Sequence, residues 1–270
     1  MTDQAGFEAL TRAISCAAGL SLDAYKDKCL RRRIAVRMRA CGVQTYQEYQ
    51  ALLARTPDEY DRLKDAITIN VTRFFRNAET WVRLATDHLP GLLARVPGTV
   101  RVWSAGCSSG EEAYGLAILI AEAAAAAGDA RGVERVQVDA TDIDRRSLER
   151  AADARYGADA LAETPAAIRD RYFERDGDGW RVVPVVRHRV RVRRHDLGRE
   201  PPPGTFHLIV CRNVVIYFER PTQERLFALF ADALVADGLL VLGKVETLFG
   251  PARERLHLLD ARERIYRKPA

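Results

Sequence analysis

Two adjacent carboxylates, Glu111 and Glu112, are the residues of this 270-residue chain best placed to do chemistry; they follow a small-residue loop in VWSAGCSSGEEAY, Val102 to Tyr114. A strand-like entry, a loop with Gly106 and Gly110, and an alanine-rich segment from Glu111 predict a strand-to-helix turn. Carboxylates suit the positive end of a helix but are poor company for a phosphate, and they suit a ribose, an amine or a sulfonium. A further acid ends the next predicted strand in ATDID, Ala140 to Asp144. There Asp142 can accept from both hydroxyls of a ribose, while Asp144 reads as a helix cap. Another strand, in FHLIVCRNVVIYF, delivers Arg212 and Asn213 to the same rim. S-adenosylmethionine matches this set best, having a ribose, an amino acid tail and a positive sulfur but no phosphate.

The elements that must position these groups are legible as texture. Predicted strands Val100–Trp103, Val136–Ala140, Phe206–Cys211 and Leu239–Leu242 alternate with predicted helices Glu111–Ala127, Arg145–Tyr156 and Pro221–Val235. That alternation implies a parallel sheet covered on both faces, with its ligand at the carboxyl ends of the strands. Before it, apolar residues recur every three or four positions, with breaks at Gly19, Gly42 and Pro57, which predicts a helical bundle closing toward the linker-like Arg95–Gly98. After a turn at Asp176–Gly179, valines alternate with Arg187, Arg189, Arg191 and Arg193, which predicts a small antiparallel unit with a basic face.

Composition excludes several classes. A hydrophobic content of 47% supports a real core, and neither a long apolar run nor a basic-then-apolar start predicts a membrane span or a signal peptide. Five widely spaced cysteines without a C-x-x-C pair fit reduced thiols and a cytoplasmic protein, and five histidines without ligand spacing predict no metal site. The net charge of +5 belongs mostly to the first third, where 15 basic residues face 11 acidic ones through Gly98. Seven of those basic residues lie between Lys26 and Arg39, around an apolar stripe of Leu30, Ile34, Met38 and Cys41. Such a run is a solvated helix face or a docking surface for an acidic partner.

Four ordered stretches, ITINVTRFFR (Ile67 to Arg76), WSAGCSSGEEAY, ATDID and CRNVVIYF, resemble the signatures of the chemotaxis receptor methyltransferases of the CheR type. The resemblance covers nearly the whole chain. It implies an all-α domain over about residues 1–90 and a Rossmann-like class I methyltransferase domain over 91–270 with a small antiparallel β-subdomain at about 171–194. By position it places Asn70, Thr72, Arg76, Gly106, Glu112, Asp142, Asp196, Leu197, Arg212 and Asn213 around S-adenosylmethionine. Arg76 and Tyr217 would face the reacting centre, and Arg33, Arg37 and Arg39 would dock the helical bundle of a chemoreceptor, the implied substrate. A monomer without membrane insertion is expected.

The sequence departs mildly from the family pattern. Gly106, Ser109 and Ala113 stand where Ala, Thr and Pro are common, and GKVET (Gly243 to Thr247) replaces a Gly-x-Ser-Glu, which leaves the role of Glu246 open. The loop from Glu174 to Gly179 looks about three residues shorter than in members that bind a receptor's tail peptide, so a tether-independent enzyme is expected. Two other readings stay open. A nucleic-acid methyltransferase would usually show Pro-Pro-aromatic after Asn213, where this chain has Val214, Val215 and Ile216. A non-enzymatic cofactor sensor would bind without transferring.

Overall fold

The computed structural model describes residues 3–18, 22–67 and 72–270. By contacts the chain divides into one unit of Met1–Asn70 with Tyr217–Gln223 and a second of Val71–Ile216 with Glu224–Ala270.

The first unit is built on α1 (Asp3–Ala18), α2 (Asp27–Ala40), α3 (Tyr46–Arg55) and α4 (Pro57–Ile67). Gly42, at φ 69°, follows α2. A capping box of Thr45 and Glu48 starts α3, and Pro57, which has no N–H to leave unpaired, starts α4. The stripe of α2 is buried at Leu30, Ile34 and Met38.

Its basic flank differs from the docking role expected of it. Arg33 is buried, donates from Nη1 to the Ala66 and Ile67 carbonyls at 2.8 and 3.0 Å, and lies over the Tyr217 ring at 5.1 Å. Arg37 donates to both oxygens of the buried Glu59, at 3.0 and 2.6 Å, and Tyr49 Oη adds a third bond at 2.8 Å. Both arginines sit on the helix face that neighbours cover, so their charge is committed internally, whereas Arg39 is exposed together with Lys28 and Arg32. Burial alone would push the Glu59 carboxyl up, but bonds from Arg37 and Tyr49 outweigh it and hold the group below its ordinary value. A depressed carboxyl stabilises the fold above its unfolded pKa and loses that contribution as pH falls through the folded one. The first unit is therefore expected to lose stability progressively below about pH 5. Acid titration by circular dichroism should show this dependence reduced in Glu59→Gln.

In chain order the remaining elements are α5 (Ala78–Arg83), a π-helical turn at Leu84–His88, α6 (Leu89–Arg95), β1 (Val100–Ala105), α7 (Glu111–Ala126), β2 (Val136–Asp142), α8 (Arg145–Asp153) and β3 (Arg155–Tyr156). There follow α9 (Ala166–Tyr172), β4 (Phe173–Asp176), β5 (Gly179–Val182), α10 (Pro184–Arg187), β6 (Val190–Arg194), β7 (Phe206–Cys211), α11 (Arg220–Ala233), β8 (Leu234–Leu242), α12 (Ala252–Arg255), β9 (His257–Asp260) and β10 (Ile265–Arg267). Seven strands form one sheet in the order β6-β2-β1-β7-β8-β10-β9, with β10 antiparallel to both its neighbours and the rest parallel. Nearly unbroken burial along β1, β2 and β7 is what a parallel sheet covered on both faces requires.

Two segments differ from the sequence reading. Trp81, Leu84, Leu89, Leu92 and Leu93 pack in the same core as Val102, Leu208 and Val210 of the sheet, so the helical texture through residue 90 straddles both units. Helical periodicity reports a buried face and not which core buries it. The valine–arginine alternation forms β6, parallel to β2 from Val138↔Val190 to Asp142↔Arg194 at the edge of the large sheet. One face buried and one exposed fits an edge strand as well as a hairpin, and arginines protect such an edge. The small antiparallel sheet is instead β3-β5-β4, and Gly177 at φ 61° with Asp178 closes its β4–β5 hairpin. Among the described residues no helix is long and apolar enough to cross a membrane.

Candidate functional site

From β1 the sheet grows outward through β2 to β6, then resumes on the other side of β1 with β7 and β8. The topological switch point, where ligands bind such sheets, therefore lies between the carboxyl ends of β1 and β7. Gly106 opens the loop after β1 at φ 84°, and its amide and that of Cys107 donate to the Thr141 carbonyl at 2.8 and 2.9 Å. A Cβ on Gly106 would lie 2.4 Å from Val214 Cγ2, so the two strand ends approach closely there.

The two adjacent carboxylates turn to different partners. Glu111 takes bonds from Ser109 Oγ, while Glu112 accepts from Ser104 Oγ of β1 at 2.8 Å and lies 3.7 Å from Arg212 Nη1. Burial pushes both carboxyls up, opposed at Glu112 by the Arg212 charge. Arg212, nine-tenths buried, donates through Nη2 to the Arg76 carbonyl at 3.0 Å and to Asn77 Oδ1 at 2.9 Å, and lies over Trp81 at 5.5 Å. Trp81 Nε1 also donates to the Arg76 carbonyl. The Arg76 side chain is half-buried, and its charge acts on both Glu112 and Arg212.

Asp142 ends β2 half-buried, with Oδ2 accepting from the Ser108 amide at 2.8 Å and Oδ1 from the Asp144 amide at 2.9 Å. A carboxylate has about four lone-pair sites, so acceptor capacity is left for a ribose hydroxyl. Burial pushes this carboxyl up and the amides oppose it. Asp144 caps α8, accepting from the Arg146 amide. The residue after β6, His195, donates its amide to the Asp142 carbonyl at 2.9 Å, which brings the buried Asp196 and Leu197 to the same rim. Asp196 Oδ1 accepts from the Gly198 amide.

The second unit thus gathers Arg76, Gly106, Glu112, Asp142, Asp196, Leu197, Arg212 and Asn213 along its strand ends. Thr72 is half-buried in the same unit, Asn70 lies outside the described residues, and Tyr217 stands in the first unit against Arg33. Sequence reasoning did not assign Glu246, 3% exposed, whose carboxylate accepts from the amides of Gly243, Asn213, Val214 and Ile216. Its signals were the place of Gly243–Glu246 where the family shows Gly-x-Ser-Glu, and a Glu three residues after Gly243, as in a capping box that reaches back to an earlier N–H. Ser104, Asn77 and Trp81 had none.

These residues fit S-adenosylmethionine on chemical grounds. The crevice offers carboxylates to hydroxyls and to positive charge, and the Arg212 Nε, buried without a partner in the structure, shows polar capacity still unused. Asp142→Ala should weaken binding of S-adenosylmethionine and S-adenosylhomocysteine by about 1.5–3 kcal/mol, roughly ten- to 150-fold. Calorimetry checks this, and unchanged dissociation constants would remove Asp142 from the ribose site.

A Rossmann-like sheet with this crevice defines a class I S-adenosylmethionine-dependent methyltransferase. Residues 70–265 match the family described as CheR methyltransferase, SAM binding domain, and residues 5–68 match CheR methyltransferase, all-alpha domain. The chain belongs to the CheR methyltransferase family. It is 36% identical over 250 residues to a chemotaxis protein methyltransferase of Listeria innocua, covering 93% of each chain. It is 35% identical over 261 residues to one of Klebsiella aerogenes, covering 93% of this chain and 86% of that protein. A probable biofilm formation methyltransferase of Pseudomonas aeruginosa is 30% identical over 87% of this chain and 55% of its own length.

Proposed function

We propose that the chain methylates glutamate side-chain carboxylates of chemoreceptors, yielding glutamate methyl ester and S-adenosylhomocysteine. The observation that carries this reading is the arginine-lined side of the crevice. Arg76 has its carbonyl held by Arg212 and Trp81, and in this reading its guanidinium orients an incoming carboxylate. The names of the relatives support chemotaxis as the setting. Bound in the crevice, S-adenosylmethionine supplies an electrophilic methyl group.

In this reading Asp142 holds the ribose and Glu112 faces the positive end of the cofactor. A glutamate carboxylate is ionised at neutral pH, so no residue need act as a base. Attack neutralises opposite charges, and an arginine that clamped the carboxylate too tightly would favour the ground state. Arg76 therefore contributes by alignment, which in favourable cases is worth about 7–11 kcal/mol. The exposed Lys28, Arg32 and Arg39 of α2 suit an acidic receptor surface.

Recognition in this reading is independent of a receptor tail. The two-residue turn at Gly177–Asp178 leaves little backbone on which a peptide could add as a strand. Methyl-labelled cofactor incubated with receptor-containing membranes should give a base-labile carboxyl ester, at similar rates with and without the receptor tail. Arg76→Ala should lower turnover more than it weakens S-adenosylhomocysteine binding. Label on RNA, or no transfer at all, would overturn the reading.

A further inference from the structure

The loop after β8 contributes no residue to the crevice as assigned above, yet its Glu246 side chain is nine-tenths and more buried beside it. Oε2 accepts from the Gly243 and Asn213 amides at 2.6 and 3.0 Å, and Oε1 from the Val214 and Ile216 amides at 2.9 and 3.2 Å. Four oriented amide dipoles thus solvate this charge in place of water. The bonds bridge two strand ends, because Gly243 leaves β8 while Asn213, Val214 and Ile216 leave β7. A Cβ on Gly243 would fall 2.7 Å from Glu246 Oε2 and 2.9 Å from the Asn213 amide, so the backbones meet with no room between them.

Asn213 is held at φ 60°, a left-handed conformation that a non-glycine residue keeps when its surroundings over-determine it. The next residue, Val214, fills the space in front of Gly106. A continuous set of contacts therefore runs from Glu246 through the Asn213–Val214 turn to the loop after β1. The Glu246 charge also acts on Arg212 and Glu112, favouring the charged form of the first and the neutral form of the second.

We infer that Glu246 is a positioning residue for the cofactor: by binding the amides of Gly243, Asn213, Val214 and Ile216, it sets the left-handed turn at the end of β7 against the Gly106 loop before the cofactor arrives. The inference rests on the assignment of this crevice to the cofactor and is independent of which substrate receives the methyl group. Glu246→Gln keeps the size of the side chain but turns an NH2 group toward two N–H donors, which breaks the cradle without opening a cavity.

The test compares Glu246→Gln and Glu246→Asp with Leu92→Ala, a core truncation beside His207 at the amino end of β7, all measured well below their unfolding temperatures. Glu246→Gln should weaken S-adenosylhomocysteine binding at least tenfold in calorimetry and speed hydrogen exchange at the four amides. Glu246→Asp, which keeps the charge, should recover part of both, and Leu92→Ala should lower the melting temperature while changing neither. Folded Glu246→Gln with wild-type affinity, unchanged exchange at the four amides, or an equal binding loss in Leu92→Ala would overturn the inference. Should the Gln variant not fold, Glu246→Asp against Leu92→Ala decides on the same two readouts. A wild-type chain that bound no S-adenosylhomocysteine would overturn the crevice assignment as well, whereas normal wild-type binding beside an unaltered Gln variant overturns this inference alone.

Discussion

Gly106→Ala is expected to abolish measurable S-adenosylhomocysteine binding and to destabilise the second unit by about 2–5 kcal/mol. Two costs add at this position. The backbone is at φ 84°, where an L side chain is strained by about 1–2 kcal/mol. The new Cβ would also lie 2.4 Å from Val214 Cγ2 and 3.2 Å from Val214 Cγ1, so either the valine or the loop must move. Overpacking of this kind costs about 1–3 kcal/mol. Movement of the loop disturbs the Gly106 and Cys107 amides on the Thr141 carbonyl, and with them the Ser108 amide on Asp142. The contact origin of the effect is checked by a double-mutant cycle. Val214→Ala in the Gly106→Ala background should return part of the stability and binding, whereas strictly additive losses would show that strain in the loop, and not the valine contact, dominates.

Arg212→Met is expected to cost about 3–5 kcal/mol, the typical loss when one partner of a buried ion pair is removed. Arg212 is nine-tenths buried, and its loss leaves Glu112 without the counter-charge 3.7 Å away and the Arg76 carbonyl without the Arg212 donor. Burial already pushes the Glu112 carboxyl up, and the Arg212 charge is the first influence opposing that shift. Without Arg212 the carboxyl should rise further. A carboxyl raised in the folded state destabilises the fold as pH rises above the unfolded value of about 4.3 through the folded one. The gap between wild type and Arg212→Met should therefore widen from pH 5 to pH 8 in urea unfolding. Adding Glu112→Gln should close most of that gap, and a pH-independent difference would show that Glu112 is not the group left uncompensated.

Much of the site was legible because it lies at strand ends. Gly106, Asp142, Arg212 and Asn213 each follow a short apolar run, and a parallel sheet brings such positions to one rim whatever the intervening chain does. The Asp144 cap was legible for a local reason, since its carboxylate accepts from the Arg146 amide and Ser147 Oγ, two and three residues on. Glu246 escaped because three of its four bonds cross 30 residues or more of chain, from Asn213, Val214 and Ile216.

What the sequence by itself determined is the alternation of helix and strand, the acidic character of the crevice and hence its unsuitability for phosphate, and the buried stripe of α2. These depend on residue type and on spacing of four residues or fewer, which local geometry converts directly into faces and ends. Only the tertiary structure decided that Arg33 and Arg37 point inward to Tyr217 and Glu59, that α5 and α6 belong with the sheet, and that β6 pairs with β2. In each case the local pattern specifies a buried or charged face but not its partner. The partner is set by contacts between distant segments, whose charges and surfaces meet only after the chain has folded.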